Sequence, residues 1–351
     1  MDSHLLWIIG FVVVALVFDF LNGFHDSANI VATMISSRAM TPLRALVIAA
    51  VCEFLGPFLF GVAVATTIGH QVVDPSLITN SLILGALLSA IVWNIATWYF
   101  GIPSSSSHAL IGGLAGSAYM ANLIRQLKAG NVRSLRDLGL VARAIRVQGI
   151  TKVVVSLLVS PPLGFIAGFV LIKIIYFFAR LASPRINWLF KKGQMVTAVG
   201  LALSHGTNDA QKTMGIITMA LVASGYLAEF QVPLWTIAAC AGSIALGTAL
   251  GGWRLIKTIG GKFYKIRPIH GFTTQVASGA LILGASLVGG PVSTTHVVSS
   301  AVMGAGSAER LSKVRWGVGR QIVTAWILTM PLTAILAAIC YLIIWSTPWA
   351  G

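Results

Sequence analysis

The chain has 351 residues, 56% of them hydrophobic and only 9% charged, with a mean hydropathy of +0.87. Soluble domains carry about 25% charged residues, so this composition excludes a soluble globular protein and indicates a polytopic membrane protein. The net charge of +15 does not indicate nucleic acid, because the basic residues gather in connections without an aromatic–basic platform. Arg125 to Lys152, Arg180 to Lys192, Arg254 to Arg267 and Arg310 to Arg320 have the look of juxtamembrane loops beside anionic lipid.

Apolar runs long enough to span recur near 5–21, 43–68, 80–100, 149–178, 195–222, 232–256, 271–288 and 321–346. The first has only Asp2 and His4 ahead of it and no small-residue cleavage site, so it reads as a retained helix. This element is expected to break at Asn22–Gly23 and to resume through Ile35, with Ser36, Ser37 and Arg38 closing it. On a continuous helix, Asp19 and Asp26 would share one face. Asp19 then reads as a group that orients the break.

Pro42 starts the next element, and Pro42–Gly69 matches Pro233–Gly260 without a gap: both begin Pro-Leu and end Thr-Ile-Gly. Gly56 falls on Gly247 and Gly61 on Gly252, but Glu53 falls on Ile244. Ile102–Gly113 matches Gly290–Gly304 through a shared Pro-x-Ser-[Ser/Thr]-[Ser/Thr]-His, which places Ser107 over Thr295 and His108 over His296. Each such tip, set between short flanks, reads as a re-entrant helical hairpin. Val155–Gly168 sits beside Ala325–Ala338, with Pro162 over Pro331. Cys52, Cys240 and Cys340 lie in apolar runs without metal-ligand spacing and read as small core hydrophobes.

The second half centres on Gly200–Gly215, GLALSHGTNDAQKTMG, where Ser204, His205, Asn208, Asp209, Gln211 and Lys212 interrupt an apolar stretch. Polar groups at membrane depth are costly unless they are paired or line an aqueous cavity. A second copy, NGFHDSAN at Asn22–Asn29, aligns Gly23 with Gly206, Asp26 with Asp209 and Asn29 with Lys212. Two copies of a buried polar motif indicate a transporter built from internal repeats. The expected fold is therefore an all-α polytopic membrane protein with two inverted repeats, broken helices and two re-entrant hairpins, about 10–12 membrane segments in all. Residues 1–178 form the first repeat, 179–194 a basic connection and 195–351 the second repeat.

The hydroxyl-rich tips, Ser104, Ser105, Ser106 and Ser107 with Ser293, Thr294 and Thr295, start short helices. Helix N-termini offer unpaired N–H groups and roughly half a positive charge, which suits an anion. The bland alternative is that these hydroxyls bond back to the helix backbone or hold helices together. Gln211 and Lys212 are further candidate donors, and Lys212 and Arg38 could balance charge.

Asp26 and Asp209 look wrong for an anion site, since two unit charges 6 Å apart repel by about 3 kcal/mol even at an effective dielectric near 20. A carboxylate beside a tetrahedral oxyanion needs a proton or a metal cation between them, so such a pocket binds anion and cation together. That is the electrostatic logic of symport. Asn22, Asn29 and Asn208 supply neutral oxygens of the kind Na⁺ or a hydrated divalent ion accepts. Glu53 is a further candidate for cation coupling, and Asp26 and Asp209 for holding a metal. His25, His108, His205 and His296 read either as imidazoles bonded to backbone or as proton relays. A sulfate or other oxyanion symporter fits the same chemistry, and an intramembrane metal-dependent hydrolase is the rival from another class. No His-Glu-x-x-His spacing supports that rival.

NGFHDSANIVATMISSRAM, GLALSHGTNDAQKTMGIITMAL and GPVSTTHVVSSAVMGAG resemble the signatures of the inorganic phosphate transporter (PiT) family in its bacterial form. The resemblance covers nearly the whole chain. It implies cation-coupled uptake of inorganic phosphate across a bacterial inner membrane, with Asp26, Asp209 and the hydroxyl tips as the binding region. It implies H⁺ or Na⁺ as coupling ion, phosphate carried free or complexed with a divalent metal, and no cofactor and no enzymatic activity. The expected partners are inorganic phosphate and membrane lipid, not nucleic acid; a homodimer and a PhoU-like cytoplasmic regulator are compatible with the resemblance.

Overall fold

The computed structural model describes residues 3–71, 77–131, 138–142, 147–183 and 185–347, and among these every regular element is helical. The middle of the first basic connection, 132–137 and 143–146, lies outside the described residues. In chain order the helices are α1 (Ser3–Ser36), α2 (Pro42–Phe60), α3 (Ala63–Gln71), α4 (Asn80–Phe100), α5 (Ser106–Lys128), α6 (Leu138–Ala142) and α7 (Val147–Ala179). They continue with α8 (Ile186–Ala223), α9 (Leu234–Leu250), α10 (Trp253–Lys257), α11 (Pro268–Leu287), α12 (Thr294–Glu309) and α13 (Trp316–Trp345).

Among the described residues five helices, α1, α2, α4, α7 and α13, are long and apolar enough to cross a membrane, or up to six if the bent α9–α10 pair is one span. That count, by length and apolar composition, leaves out α5, α8 and α11, which carry polar motifs, and α12, which has 16 residues. Ser204 through Leu221 of α8 are all buried. The outer surface is apolar instead, with Leu158, Phe178, Ile327 and Leu332 exposed. A surface of that kind is the one a multi-pass protein offers to lipid.

The expected break at Asn22–Gly23 is absent: α1 and α8 each run unbroken through their polar motifs. The motif glycines serve close approach. The space a Cβ would fill on Gly23 holds the Ile244 carbonyl of α9, and on Gly206 it holds the backbone of Glu53 in α2. The breaks lie one element later. They fall at Gly61 (φ 79°), between α2 and α3, and at Gly251–Gly252 (φ 68° at Gly251), where α9 and α10 meet at 60°.

Both breaks are satisfied by side chains from the other half. Gln211 Oε1 accepts from the Val64 and Ala65 amides at 2.7 and 3.2 Å, and its Nε2 donates to the Gly61 carbonyl at 2.6 Å. Ser27 Oγ accepts from the Gly252 amide at 2.8 Å. Freed backbone groups are tolerated at membrane depth when protein pairs them in this way.

The two hydroxyl tips lie inside the protein, but their flanks are longer than half-spans: 21 and 23 residues for α4 and α5, 20 and 16 for α11 and α12. Each hairpin leans on the last long helix of the opposite half. Gly112 and Gly116 of α5 pack against Met330 and Ala334 of α13, and Gly304 of α12 packs against Phe165 of α7.

These contacts fix a stability prediction. A Cβ at Gly206 would lie 2.6 Å from Glu53 Cα and 2.8 Å from its carbonyl carbon. Gly206→Ala must push α2 and α8 apart, at about 1–3 kcal/mol or more for overpacking. Gly200 on the same helix has nothing within 4 Å of the equivalent position, so Gly200→Ala should leave the melting temperature unchanged or slightly raised. Equal melting temperatures for the two variants would contradict this packing.

Candidate functional site

The polar motifs of α1 and α8 meet the tips of α5 and α12 at one buried place. Thr294, first residue of α12, holds its hydroxyl 3.2 Å from Asp26 Oδ2 and 3.1 Å from Asp209 Oδ2. A hydroxyl has one proton to give, so it satisfies one carboxylate at a time. Thr295 donates to Asp26 Oδ1 at 2.9 Å while accepting from Asn29 Nδ2 at 3.0 Å. In the other half Lys212, the counterpart of Asn29, reaches Ser107, the counterpart of Thr295, at 2.5 Å. Its Nζ also lies 2.5 Å from Asp209 Oδ1. Each long polar helix thus donates to the tip of the opposite half.

The tips also touch each other. Ser107 Oγ donates to the Val292 carbonyl at 3.2 Å, and the rings of His108 and His296 stand 4.4 Å apart. The N-termini of α5 and α12 therefore converge, and two positive helix ends held together favour an anion between them. Ser106 donates to Asn22 Oδ1 at 2.5 Å.

Not every hydroxyl of the tips faces this centre. Ser105 and Ser293 accept from the amides of His108 and His296 at 3.2 and 3.3 Å, so they cap their own helices. Ser104 accepts from Trp93 Nε1 at 2.8 Å and lies 3.0 Å from the Thr329 hydroxyl, which ties α4 and α13 to the tip. For these three the bland alternative describes the observed bonds. Gln211 is committed to the break at Gly61; Asn208 donates its amide to Ser286 at 2.8 Å, and its Oδ1 is buried without a hydrogen-bond partner. Arg38 is exposed past the end of α1, and of the two proposed cations Lys212 is the one that reaches an aspartate.

Cap and ligand roles are separable by measurement. Ser105→Ala and Ser293→Ala should each lower stability by about 0.5–2 kcal/mol through the lost cap. Ser106 turns its hydroxyl inward to Asn22 and does not cap its helix; if it also serves the anion, Ser106→Ala should act mainly on anion affinity, by about tenfold. Parallel melting curves and phosphate titrations would show the opposite pattern if the caps were ligands.

Several pairings escaped the sequence reading. Glu53 lies 2.6 Å from His205 Nδ1, while His205 Nε2 points toward Asp209 at 3.4 Å and Asp26 at 3.9 Å. The signal was present in the repeat: His205 falls on Asn22 and Glu53 on Ile244, so the two departures from symmetry are each other's partners. Asp19 accepts from Thr213 at 2.9 Å across the halves. His25 bridges Asp26 at 3.0 Å and Thr97 at 3.3 Å.

Among the described residues Asp26, His205 and Asp209 form a group able to hold a cation, with ligand atoms within 4.8 Å of one another. The charge count supports that use. Asp19, Asp26, Glu53 and Asp209 are all buried with Lys212, His25 and His205. With all four carboxylates ionised and both imidazoles protonated, one negative charge would be left over. A buried carboxylate in that position takes up a proton or a metal cation.

The phosphate transporter family model matches residues 22–188 and 179–337. The chain is 43% identical over 350 residues to a probable low-affinity inorganic phosphate transporter of Bacillus subtilis (strain 168), covering 98% of this chain and 99% of the relative. A probable low-affinity inorganic phosphate transporter of Rhizobium meliloti (strain 1021) is 43% identical over 345 residues, covering 97% and 98% of the two chains. Among solved structures, the sodium-dependent phosphate transporter is similar with a TM-score of 0.84 at 25% identity, covering 96% of this chain and 98% of that one.

Proposed function

The chain belongs to the phosphate transporter family, and we propose that it is a secondary active symporter that takes up inorganic phosphate together with a cation. Its relatives are named as transporters, and it is not an enzyme. The observation that carries the reading is the Thr294 hydroxyl, which heads α12 and lies between two carboxylates at 3.2 and 3.1 Å. Anion-binding helix ends and cation-binding carboxylates occupy one locus. Phosphate adds negative charge beside a cluster of buried carboxylates, so its entry requires positive charge to enter with it.

In this reading Asp26 and Asp209, with His205 between them, hold the coupling cation. Glu53 orients His205, much as a second carboxylate orients a ligating imidazole in metal sites. Ser106, Ser107, Thr294 and Thr295 face the anion with the N-termini of α5 and α12, and Lys212 links the two charges by touching Asp209 and Ser107. Residues 1–178 and 195–351 act as two inverted repeats in a bacterial inner membrane. The packing that supports this is reciprocal: α1 lies on α9 as α8 lies on α2. Na⁺ is the favoured coupling ion, since the solved neighbour is named sodium-dependent.

Radiolabelled phosphate uptake into proteoliposomes tests the reading. Accumulation is expected under an inward Na⁺ gradient and not under K⁺ alone. A pH jump without Na⁺ separates H⁺ coupling, and added Mg²⁺ separates a metal–phosphate cargo. No concentrative uptake under any of these gradients would overturn the proposal.

A further inference from the structure

Away from the central site, the end of α1 and the starts of α2 and α8 enclose a groove of about 930 Å³. Arg38, Arg44, Lys191 and Lys192 line it, and no carboxylate does. None of the four forms an ion pair among the described residues; Lys192 lies over the Trp188 ring at 5.8 Å. The other wall is aliphatic and exposed, with Leu43 and Val47 among its residues. A strongly basic end continuous with an apolar, outward-facing wall matches an amphipathic anion rather than a small soluble one.

Two observations show that the groove is built. Ser37, beside Arg38, donates to Gln194 of α8 at 2.9 Å, and Gln194 donates to the Pro268 carbonyl at 2.9 Å, which fixes the end of α1 against α8 next to the groove. Arg38 itself has φ 55°, the positive-φ case among the described non-glycine residues. Glycine adopts that conformation without strain, whereas an arginine there is strained and contributes a charge to the groove.

We propose that this groove binds an anionic phospholipid, its phosphate headgroup on Arg38, Arg44, Lys191 and Lys192 and an acyl chain along Leu43 and Val47. The lipid would join the end of α1 and the start of α8, the two helices that carry Asp26 and Asp209. This inference does not depend on what the central site transports.

Native mass spectrometry of the detergent-purified protein tests it, using phosphatidylglycerol and phosphatidylcholine as probes. The protein is expected to retain phosphatidylglycerol and not phosphatidylcholine. Each cation removed should weaken retention about fivefold, so R44Q/K191Q/K192Q should weaken it about a hundredfold. Arg38→Gly removes a charge and a strained conformation together, so it should weaken retention about fivefold without lowering the melting temperature. That variant decides the matter alone if the triple variant proves unstable. Equal retention of the two lipids, or retention unchanged by Arg38→Gly and the triple variant, would overturn the proposal. Displacement of phosphatidylglycerol by excess inorganic phosphate would also overturn it, as evidence of a free-phosphate site.

Discussion

Asp26→Asn and Asp209→Asn should each reduce Na⁺-driven phosphate accumulation by about a hundredfold or more while the protein stays folded and membrane-inserted. A unit charge about 5 Å from a cation contributes about 3 kcal/mol at an effective dielectric near 20, and that is roughly a hundredfold in cation affinity. The amide keeps the shape of the carboxylate, and its one carbonyl oxygen can accept from either Thr294 or Thr295, the two hydroxyls now bonded to Asp26, while its NH2 group turns toward the other hydroxyl oxygen. At Asp26 the loss mainly reports charge, and removing a membrane-buried charge should ease insertion; Asp209→Asn also leaves the Lys212 ammonium without its carboxylate, so its melting temperature should fall as well. Uptake assays in proteoliposomes, with melting curves on the same preparations, check both halves of the expectation. Normal accumulation by either variant would show that its carboxylate is structural.

Lys212→Met should be the most destabilising single change at the site, and Asp209→Asn should partly reverse it. Lys212 is buried and its ammonium lies 2.5 Å from Asp209 and 2.5 Å from Ser107. Breaking a buried pair by removing one partner costs about 3–5 kcal/mol, because the remaining charge has no compensation. Neutralising both members leaves no such charge, so the double variant should be more stable than Lys212→Met alone. A double-mutant cycle read by thermal unfolding should give a coupling energy of about 1–3 kcal/mol. Phosphate affinity should fall in both Lys212 variants, since each lacks the link from the carboxylates to the Ser107 tip. Additive stability effects would mean that the two side chains do not act as a pair.

The class of the fold was legible because composition and spacing report on solvent: a chain with so few charges, and with its charges in matched blocks, has few ways to satisfy them in a bilayer. Asp26, Asp209, Asn29 and Lys212 were legible for the same reason, and the structure places all four at the tips. The glycines misled. Gly23 read as a helix breaker, yet a glycine signals a break and a close helix contact with the same letter, and only the neighbouring backbone distinguishes them. The true breaks, at Gly61 and Gly251–Gly252, were visible as matched glycines but carry no polar run beside them. Their caps, Gln211 and Ser27, come from helices distant in sequence. Ser104, Ser105 and Ser293 were indistinguishable from Ser106 by residue type; whether a serine caps a helix or faces a ligand depends on one χ1 angle and on which helix lies opposite. Glu53 looked unsupported because its partner His205 belongs to the other half.

The most direct test of a shared anion–cation locus is the affinity of the purified protein for phosphate, measured by titration calorimetry across Na⁺ concentration and pH. If Asp26, Asp209 and the two helix ends form one site, phosphate affinity should rise steeply with Na⁺, or with protons if H⁺ is the coupling ion. Cation affinity should rise with phosphate by the same factor, because linkage is reciprocal. Phosphate affinity that is independent of both Na⁺ and pH would contradict a single site built from these residues.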